Sequence, residues 1–543
     1  MSLEEVFYQG IEEYIHKYFE INPLAATYLG IHKYDHLLPK GGWEGFREEE
    51  KFIKEFKEWY EGFKENDLSG LSFNARIDVE LVERSIKLWE FQMYEWRLWA
   101  KYPSAPSTIS SSIFILFGRD FAPFPIRLKS IVGRLERAPE YLRRSMEVLI
   151  EPVKKYIDIG IEISRQLTPS IEFLIHLSQS ITGENEDIER MWRIHDILRD
   201  EVEEYINWLE DIKRDASDEY RIGPELFEKL LKIRGLGISS DEILELGIRY
   251  LKHFKEEARK LSKEIVGVED VEKAREIVES DYPRDFNEII KLYEESIERA
   301  RAFIIEKRIA PVPEGENIKV LETPPFMAPV IPFAAYIGPA PYEDRKEGIY
   351  LVTRPSKESD FKRHNIYSIS NTTVHEAYPG HHLQMVWATI HKNLPRLISI
   401  DTAFVEGWAH YCEDLMKEYG YDDTSKHRFV QVLDSIWRAV RVVVDVRLSR
   451  REMTFEEAVE MLVRETGMDR AAAEAEVKRY ILSPGYQLSY LLGRHLFSKM
   501  RREVKEVLGD EFDDYKFHKI ILESSGLPFN ILKKLVLHEF QRL

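Results

Sequence analysis

Cysteine is almost absent from this chain of 543 residues, where Cys412 stands alone. An internal disulfide is therefore excluded, and the cysteine content gives no sign of an oxidising compartment. The first residues, Met1–Glu5, have neither a basic start nor an apolar core, so no signal-peptide pattern is present. Long hydrophobic runs are lacking too, because the longest, residues 326–338, is too short to span a bilayer and contains two prolines. We predict a cytoplasmic protein without membrane contact.

Clustered positive charge is also lacking. The 77 Lys and Arg residues are outnumbered by 96 Asp and Glu residues, which gives a formal net charge of −19. This balance argues against nucleic-acid binding, which needs a basic surface for phosphates. Asn and Gln are sparse while Glu, Lys and Arg are abundant, a composition typical of proteins from thermophiles.

Most of the chain shows the period of amphipathic helices. The clearest stretches are residues 3–20, 76–100, 187–214, 240–263, 284–308 and 425–450. A proline-rich region breaks this pattern with short apolar runs at residues 318–321, 330–337 and 348–352, and residues 366–370 are a further strand candidate. We therefore predict a mainly α fold with a small β element near residues 318–370. Residues 1–310 form a helical N-terminal lobe and residues 311–543 a C-terminal lobe that carries the chemistry, as two lobes of one structural unit.

The chemical signal lies in residues 374–384, which read Val-His-Glu-Ala-Tyr-Pro-Gly-His-His-Leu-Gln. In the common zinc-peptidase motif H-E-x-x-H, the two histidines are one helical turn apart and bind one metal ion. Here Pro379 takes the place of the second histidine, and histidines follow six and seven residues after His375. Proline interrupts a helix, and Gly380 gives the backbone the freedom to leave it.

Two geometries follow from this spacing. In a regular helix, His382 would lie about two turns above His375, roughly 10 Å away, which is too far for both to bind one zinc ion. If Pro379 and Gly380 loop out instead, His381 takes the place of the second histidine. We favour His381 and leave His382 open.

Two glutamates complete the predicted site. Glu376 follows the first histidine, where its carboxylate can accept the proton of an attacking water without binding the metal. The third ligand is expected on a following helix, and Glu406 lies 25 residues after His381 with Gly407 beside it to allow close helix packing.

A third group of residues is weaker in signal. Residues 483–490 begin with a helix-start pattern and contain two tyrosines one turn apart, of which Tyr490 is our choice for the donor that stabilises the oxyanion. Arg441 and Asp445 have the spacing of an ion pair on a helix. The alternative is that Arg441 holds a substrate carboxylate. His410 and Cys412 are read as structural residues or, for His410, as a partner of the site.

These residues resemble a large prokaryotic family of proteins, catalogued as family eight-eight-five of the domains of unknown function. It is marked by H-E-x-x-P-G-H and placed with the gluzincin-type metallopeptidases. The resemblance covers nearly the whole chain, from residues 22–30 through the His375 motif and residues 406–409 to residues 484–493.

The resemblance implies that His375 and His381 are the histidine ligands, Glu406 the third ligand and Glu376 the base. It also implies a fold similar to that of carboxypeptidase Taq or angiotensin-converting enzyme. In those proteins two mostly helical lobes surround a deep substrate channel, which admits short peptides and excludes folded proteins.

We therefore predict a zinc-dependent hydrolase of short peptides, of carboxypeptidase or dipeptidase type, that uses a metal-activated water. One alternative is an iron(II) oxygenase with the same two histidines and carboxylate, although it gives Glu376 no task. Another is a peptide-binding protein without activity. The sequence leaves open the side-chain preference, the end from which cleavage proceeds and whether the chain forms a homodimer.

Overall fold

The computed structural model describes residues 1–324, 331 and 333–541. Predictions for residues 326–330 and 332, which include parts of the longest apolar run and of one predicted strand, therefore lie outside the described residues. Helices take up 73% of the chain and strands 3%, which confirms the prediction of a mainly α fold with a small sheet. Among the described residues, no helix combines the length and the apolar character needed to cross a membrane.

The chain divides into two compact units. The first comprises Met1–Tyr220 together with Tyr342–Arg345, and the second comprises Arg221–Pro341 and Lys346–Leu543. The lobes predicted from the sequence, with a boundary near residue 310, are not tested by this division and stay a prediction, as does the deep channel.

Among the described residues, all the regular secondary structure of the first unit is helical. Its helices are α1 (Leu3–Ile21), α2 (Pro23–Leu29), α3 (Gly42–Lys64), α4 (Phe73–Glu90), α5 (Ala105–Gly118), α6 (Phe124–Ser145), α7 (Lys154–Thr182) and α8 (Glu186–Ile212). A π-helical turn, Phe91–Trp96, follows α4, so the helix predicted over residues 76–100 ends earlier than expected.

Helix α1 shows how the sequence forms these elements. Ser2 caps the helix by accepting a hydrogen bond from the backbone N–H of Glu5, while the Glu5 side chain bonds back to Ser2. Four apolar side chains at helical spacing form its buried face: Phe7, Ile11, Ile15 and Phe19. The predicted helix is confirmed, and its buried face starts at Phe7.

The second unit contains the remaining helices and the sheet. Its helices are α9 (Pro224–Arg234), α10 (Ser240–Val266), α11 (Val271–Glu279), α12 (Phe286–Glu306), α13 (Glu358–Arg363), α14 (Ile366–Glu376), α15 (His381–Ile390), α16 (Leu394–Leu397), α17 (Thr402–Glu418), α18 (Ser425–Ser449), α19 (Phe455–Thr466), α20 (Arg470–Leu482), α21 (Ser489–Leu508), α22 (Asp514–Glu523) and α23 (Phe529–Gln541). The helices predicted over residues 240–263, 284–308 and 425–450 are confirmed as α10, α12 and α18.

The sheet has three strands in the order β1 (Asn317–Glu322), β3 (Glu347–Val352), β2 (Ala334–Ile337). Strand β1 is parallel to β3, and β2 is antiparallel to it. The predicted strand at residues 366–370 is wrong, because these residues open helix α14. Asn365 caps that helix by accepting a hydrogen bond from the backbone N–H of Ser368.

Helices α17 and α21 pack unusually closely where two glycines meet. A Cβ atom on Gly407 would overlap the backbone of Gly493, and a Cβ atom on Gly493 would overlap the carbonyl oxygen of Ala403. The sequence-based expectation that Gly407 allows close helix packing is therefore confirmed. The contact brings the first turn of α21, with Tyr490, beside Glu406 on α17.

Substitution of Gly407 by Ala is therefore expected to push α17 away from α21. We expect a loss of about 1–3 kcal/mol of stability from the forced overlap, seen as a lower thermal midpoint by circular dichroism. The matched control is Gly62→Ala, because no atom lies within 4 Å of a Cβ atom at that exposed position of α3. A Gly407→Ala midpoint equal to that of the control would contradict the close packing.

Candidate metal centre

The chain leaves its helix between the two predicted histidine ligands. Helix α14 ends at Glu376 and α15 begins at His381, with four loop residues between them. Pro379 has no N–H group to continue the helix, and the N–H of Gly380 bonds back to the carbonyl of Val374 at 3.1 Å. A Cβ atom on Gly380 would overlap the carbonyl oxygen of His375. The loop therefore has the geometry in which Pro379 and Gly380 leave the helix and His381 takes the place of the second histidine.

This reversal brings three side chains together. His375, His381 and Glu406 offer ligand atoms that all lie within 4.8 Å of one another. The Oε2 atom of Glu406 is 3.4 Å from Nε2 of His381 and 3.9 Å from Nε2 of His375. The two histidines are only 6% and 8% exposed. Both imidazoles therefore point their Nε2 atoms at one carboxylate oxygen of Glu406, and the site is largely buried.

These distances suit a zinc ion. Ligand bonds of about 2.0 Å in a tetrahedral site separate the ligand atoms by about 3.3 Å, close to the spacing found here. Burial alone would raise the pKa of Glu406, but contact with His381 outweighs it and lowers the pKa to about 2. The carboxylate is therefore ionised, as a metal ligand must be. The donor set fits zinc, and metal binding itself stays a prediction.

Glu413 fixes the orientation of His375. Its Oε1 atom is 2.7 Å from Nδ1 of His375, which leaves Nε2 of that ring free to face Glu406. Arg438 pairs with the same carboxylate at 2.9 Å, and Asn371 donates to it at 3.2 Å. Burial opposes the charge of Glu413, but Arg438 and His375 outweigh it and lower its pKa. A carboxylate behind a ligand histidine sets its tautomer and raises its basicity.

Glu413→Gln is expected to weaken zinc binding by about 10- to 100-fold, because the amide cannot hold Nδ1 of His375 as a carboxylate does. Competition with a chromophoric zinc chelator measures the affinity. The control is Asp434→Asn, which alters a neighbouring carboxylate that bonds to Asn371 at 2.8 Å and not to a ligand histidine. Equal affinities in the two variants would remove this role from Glu413.

His382 points away from the other two histidines, into a buried polar cluster. Its Nε2 atom is 2.7 Å from Oε2 of Glu316, and its Nδ1 atom is 2.7 Å from the hydroxyl of Tyr336. Glu316 also accepts hydrogen bonds from Tyr378 and from Nε of Arg301. Both ring nitrogens of His382 are thus occupied.

The protonation of this cluster follows from its charges. Burial would raise the pKa of Glu316, but His382, Tyr378 and Arg301 lower it to about 2. Burial also lowers the pKa of His382, which keeps that ring neutral. The ionised Glu316 therefore accepts from the Nε2–H group of His382, and the Tyr336 hydroxyl donates to Nδ1.

His381→Gln and His382→Gln form a matched pair of variants that separates the two histidines. We expect His381→Gln to lose the zinc of the wild type, because it removes a nitrogen that faces Glu406. His382→Gln is expected to keep it and to lose stability, because a buried network loses a member. Metal content by mass spectrometry and thermal midpoints measure both effects. Loss of zinc only in His382→Gln would reverse the assignment.

Glu376 ends helix α14 next to the ligand cluster. Its charge acts on His381, although more weakly than that of Glu406. Among the described residues, no side chain donates a hydrogen bond to its carboxylate, and its oxygens are not sealed from solvent. A partially exposed carboxylate of this kind is available to take up a proton.

The two tyrosines of residues 486–490 differ in what they contact. The hydroxyl of Tyr486 donates to Oε1 of Glu406 at 2.8 Å, which leaves Oε2 as the oxygen that faces the histidines. Tyr490 makes no hydrogen bond of that length within the described part of the chain. Burial and the nearby Glu406 raise its pKa, so its hydroxyl keeps its proton. Sequence reasoning singled out Tyr490 and did not assign the role of Tyr486.

Arg234 connects the segments that carry these groups. Its guanidinium forms two hydrogen bonds with Asp401, the cap of α17, at 2.8 and 3.0 Å. It also bonds to the carbonyl of Gly485 and, at 3.0 Å, to Ser489. The start of the Glu406 helix and the loop before α21 are therefore fixed to one buried cation.

The weaker candidates take other places. Arg441 and Asp445 do not pair as their spacing suggested: Arg441 bonds to Glu476 and Tyr480, and Asp445 accepts the backbone N–H of Gly485 and Leu488. His410 is fully buried beside Arg494, 3.1 Å from its Nη1. Cys412 is buried, and burial raises its pKa well above the usual range.

Sequence reasoning missed Glu413, Arg438 and Glu316. Glu413 carried a signal, because it lies seven residues after Glu406 and therefore on the same face of a helix. Arg438 and Glu316 carried none, since each reaches the site through the tertiary fold.

A family model described as "Bacterial protein of unknown function (DUF885)" matches residues 23–536. None of the curated proteins matches the chain. One similar solved structure is a putative lipoprotein of unknown function from Shewanella oneidensis, with 22% identity, a TM-score of 0.80 and coverage of 98% of this chain and 99% of the other. Another is a putative lipoprotein from Colwellia psychrerythraea, with 18% identity, a TM-score of 0.83 and full coverage of both chains. At these identities the likeness shows a shared fold.

The descriptions of these two structures bear on location. A lipoprotein is held at a membrane by its lipid anchor, and both similar structures are described in that way. This finding contradicts the cytoplasmic location predicted from the sequence, and that prediction is withdrawn.

Proposed function

This chain belongs to the bacterial family of unknown function DUF885, and from its metal centre we propose that it is a zinc-dependent peptidase of short peptides. The observation that carries the proposal is the arrangement of four side chains. The Nε2 atoms of His375 and His381 converge on Oε2 of Glu406, and Glu376, whose carboxylate accepts no side-chain hydrogen bond from the described residues, acts on His381 through its charge. The motif H-E-x-x-P-G-H marks the family that this chain resembles, and the placement of that family with the gluzincin-type peptidases supports the same proposal.

Each residue has a task in peptide hydrolysis. His375, His381 and Glu406 would hold the zinc ion, which would supply a Lewis acid for the carbonyl of the scissile bond and would lower the pKa of a bound water. Glu376 takes one proton from the attacking water as the water oxygen bonds to the carbonyl carbon. The same carboxylic acid then gives this proton to the leaving nitrogen as the C–N bond breaks. The products are a carboxylic acid and an amine, and the second proton of the water passes between them to give a carboxylate and an ammonium group, while Glu376 returns to its ionised form.

The two tyrosines have different tasks in this proposal: one positions the metal ligand Glu406, and the other stabilises the negative charge that develops on the substrate carbonyl oxygen. Tyr486 donates to Oε1 of Glu406 and so fixes which oxygen faces the histidines. Tyr490 keeps its proton and lies close to Glu406, so we assign to its hydroxyl the donation to the carbonyl oxygen as negative charge develops there. One preorganised donor of this kind contributes about 10²–10³-fold in rate.

The burial of the site restricts the substrate. The two ligand histidines are less than one-tenth exposed, so a bond within a folded domain cannot reach them. A short or extended peptide can, which is why we propose short peptides as the substrate class. An iron(II) oxygenase with the same ligands would leave Glu376 without a role.

Glu376→Gln provides the direct test. We expect this variant to keep about one zinc ion per chain, because Glu376 is not a ligand, and to lose about 10²–10⁴-fold in peptide hydrolysis, because the amide cannot take up a proton. Metal content by mass spectrometry and digestion of a mixture of short peptides measure the two effects on untagged protein.

Glu406→Ala is the matched control, and it is expected to lose both the zinc and the activity. Wild-type protein that takes up no metal when zinc is supplied would rule out the proposed centre. Iron in the purified protein with oxygen-dependent turnover would favour the oxygenase instead. Hydrolysis that persists in Glu376→Gln would remove the base assigned here.

A further inference from the structure

A second cation lies one helical turn beyond the residues that support the metal centre. Arg438 of α18 touches Glu413 and His375, and Arg441 follows on the same helix. The guanidinium of Arg441 lies 4.0 Å above the ring of Trp437 and 4.9 Å from the ring of Tyr490. It is thus held between two aromatic rings, one of which belongs to the proposed oxyanion donor.

The hydrogen bonds of Arg441 leave one edge of the guanidinium unused. Its Nε atom donates to the hydroxyl of Tyr480 at 3.2 Å, and Nη2 donates to Glu476 at 3.2 Å. Within the described part of the chain, Nη1 makes no hydrogen bond. The residue is only 7% exposed, yet Nη1 is not among the buried nitrogens without a partner and therefore reaches solvent.

The carboxylate beside Arg441 has a second arginine partner. Glu476 is shared with Arg479, whose Nη2 donates to the same Oε2 atom at 2.8 Å. Two arginines therefore meet one carboxylate. Arg438 and Arg234, by contrast, each face a buried carboxylate of their own, Glu413 and Asp401.

An arginine whose guanidinium has N–H groups to spare binds carboxylates well, because its planar fork matches their two oxygens. The ring of Tyr490 lies 4.9 Å from the guanidinium of Arg441, and Glu406 is also close to Tyr490. A substrate whose scissile carbonyl is near Tyr490 would therefore have its next groups near Arg441. A carboxylate on those groups would meet an ordered donor without displacing a protein partner.

We propose that Arg441 binds the free α-carboxylate of the substrate's C-terminal residue and so directs cleavage to bonds near the C-terminal end. The inference rests on the proposed function and specifies its substrate class. An acidic side chain carries the same chemical group, but every short peptide has an α-carboxylate. The experiment below separates these two sources.

The test uses full-length, zinc-loaded Glu376→Gln, in which binding is measured without turnover. The probes are an N-acetylated alanine tripeptide with a free C-terminal carboxylate, the same peptide as its C-terminal amide, and an amide in which aspartate replaces the middle alanine. By calorimetry, we expect the free acid to bind at least about tenfold more tightly than either amide, the usual effect of one charge-assisted hydrogen bond. This comparison needs no change at Arg441.

Two further substitutions in the same background assign the effect to Arg441. Arg441→Gln is expected to bring the affinity for the acid down to that for the amide while the zinc content stays the same. Glu476→Gln removes the carboxylate that competes for the guanidinium, so the preference for the acid is expected to rise. A purely structural role of Arg441 would not produce that rise, and a fall in the preference would count against the proposal.

The remaining outcomes separate this inference from the proposed function. If wild-type protein hydrolyses the acid and the amide with equal kcat/KM, the proposed peptidase activity is supported and the proposed role of Arg441 is wrong. If the aspartate-containing amide binds as tightly as the acid, the carboxylate comes from a side chain and the terminal assignment is wrong. If the wild type holds zinc but hydrolyses neither peptide, both the function and the inference fail.

Discussion

The candidate metal centre depends on one backbone contact, the approach of Gly380 to the carbonyl oxygen of His375. Only a residue without a Cβ atom fits there, so the chain can fold back on the end of α14 and start α15 immediately. Without that reversal, His375 and His381 would lie on different sides of one continuous helix. With it, the two imidazoles point at the same carboxylate oxygen of Glu406. The requirement at this glycine is steric, in addition to the conformational freedom that the sequence suggested.

A centre buried to this degree must also compensate its own charges, because an unpaired ion in a low-dielectric interior costs several kcal/mol. Two of the buried carboxylates around the site, those of Glu413 and Asp401, are surrounded by donors from other elements. Glu413 on α17 is matched by Arg438 on α18, and the cap of α17, Asp401, is matched by Arg234 on α9. Four helices of the second unit, counting α14, are thereby held in one arrangement. Ligand side chains supported in this way keep their geometry before a metal ion arrives.

The parts of this structure that could be predicted are those set by local pattern. Long helices such as α10 and α18 follow from apolar residues at helical spacing, and the Pro-Gly interruption announced a break after His375. The strand predicted at residues 366–370 was wrong because two apolar residues at alternate positions in so short a segment fit a strand as well as a helix start, and the cap at Asn365 decided for the helix. The ion-pair and hydrogen-bond partners of individual side chains could not be predicted from the sequence. Arg441 pairs with Glu476 from another helix instead of the nearby Asp445, which only the tertiary fold can determine.

The side chains of the candidate site differ in how firmly the protein already holds them. Tyr486, His382 and Glu413 are engaged by short hydrogen bonds, so their positions are fixed. Among the described residues, no side chain donates a hydrogen bond to the Glu376 carboxylate, and the Tyr490 hydroxyl has Glu406 and Tyr486 as neighbours. Hydrolysis needs a proton acceptor and a hydrogen-bond donor beside the metal ligands. Glu376 and Tyr490 are the two residues of the candidate site with the chemistry for these tasks, whereas the firmly held residues can only position the ligands.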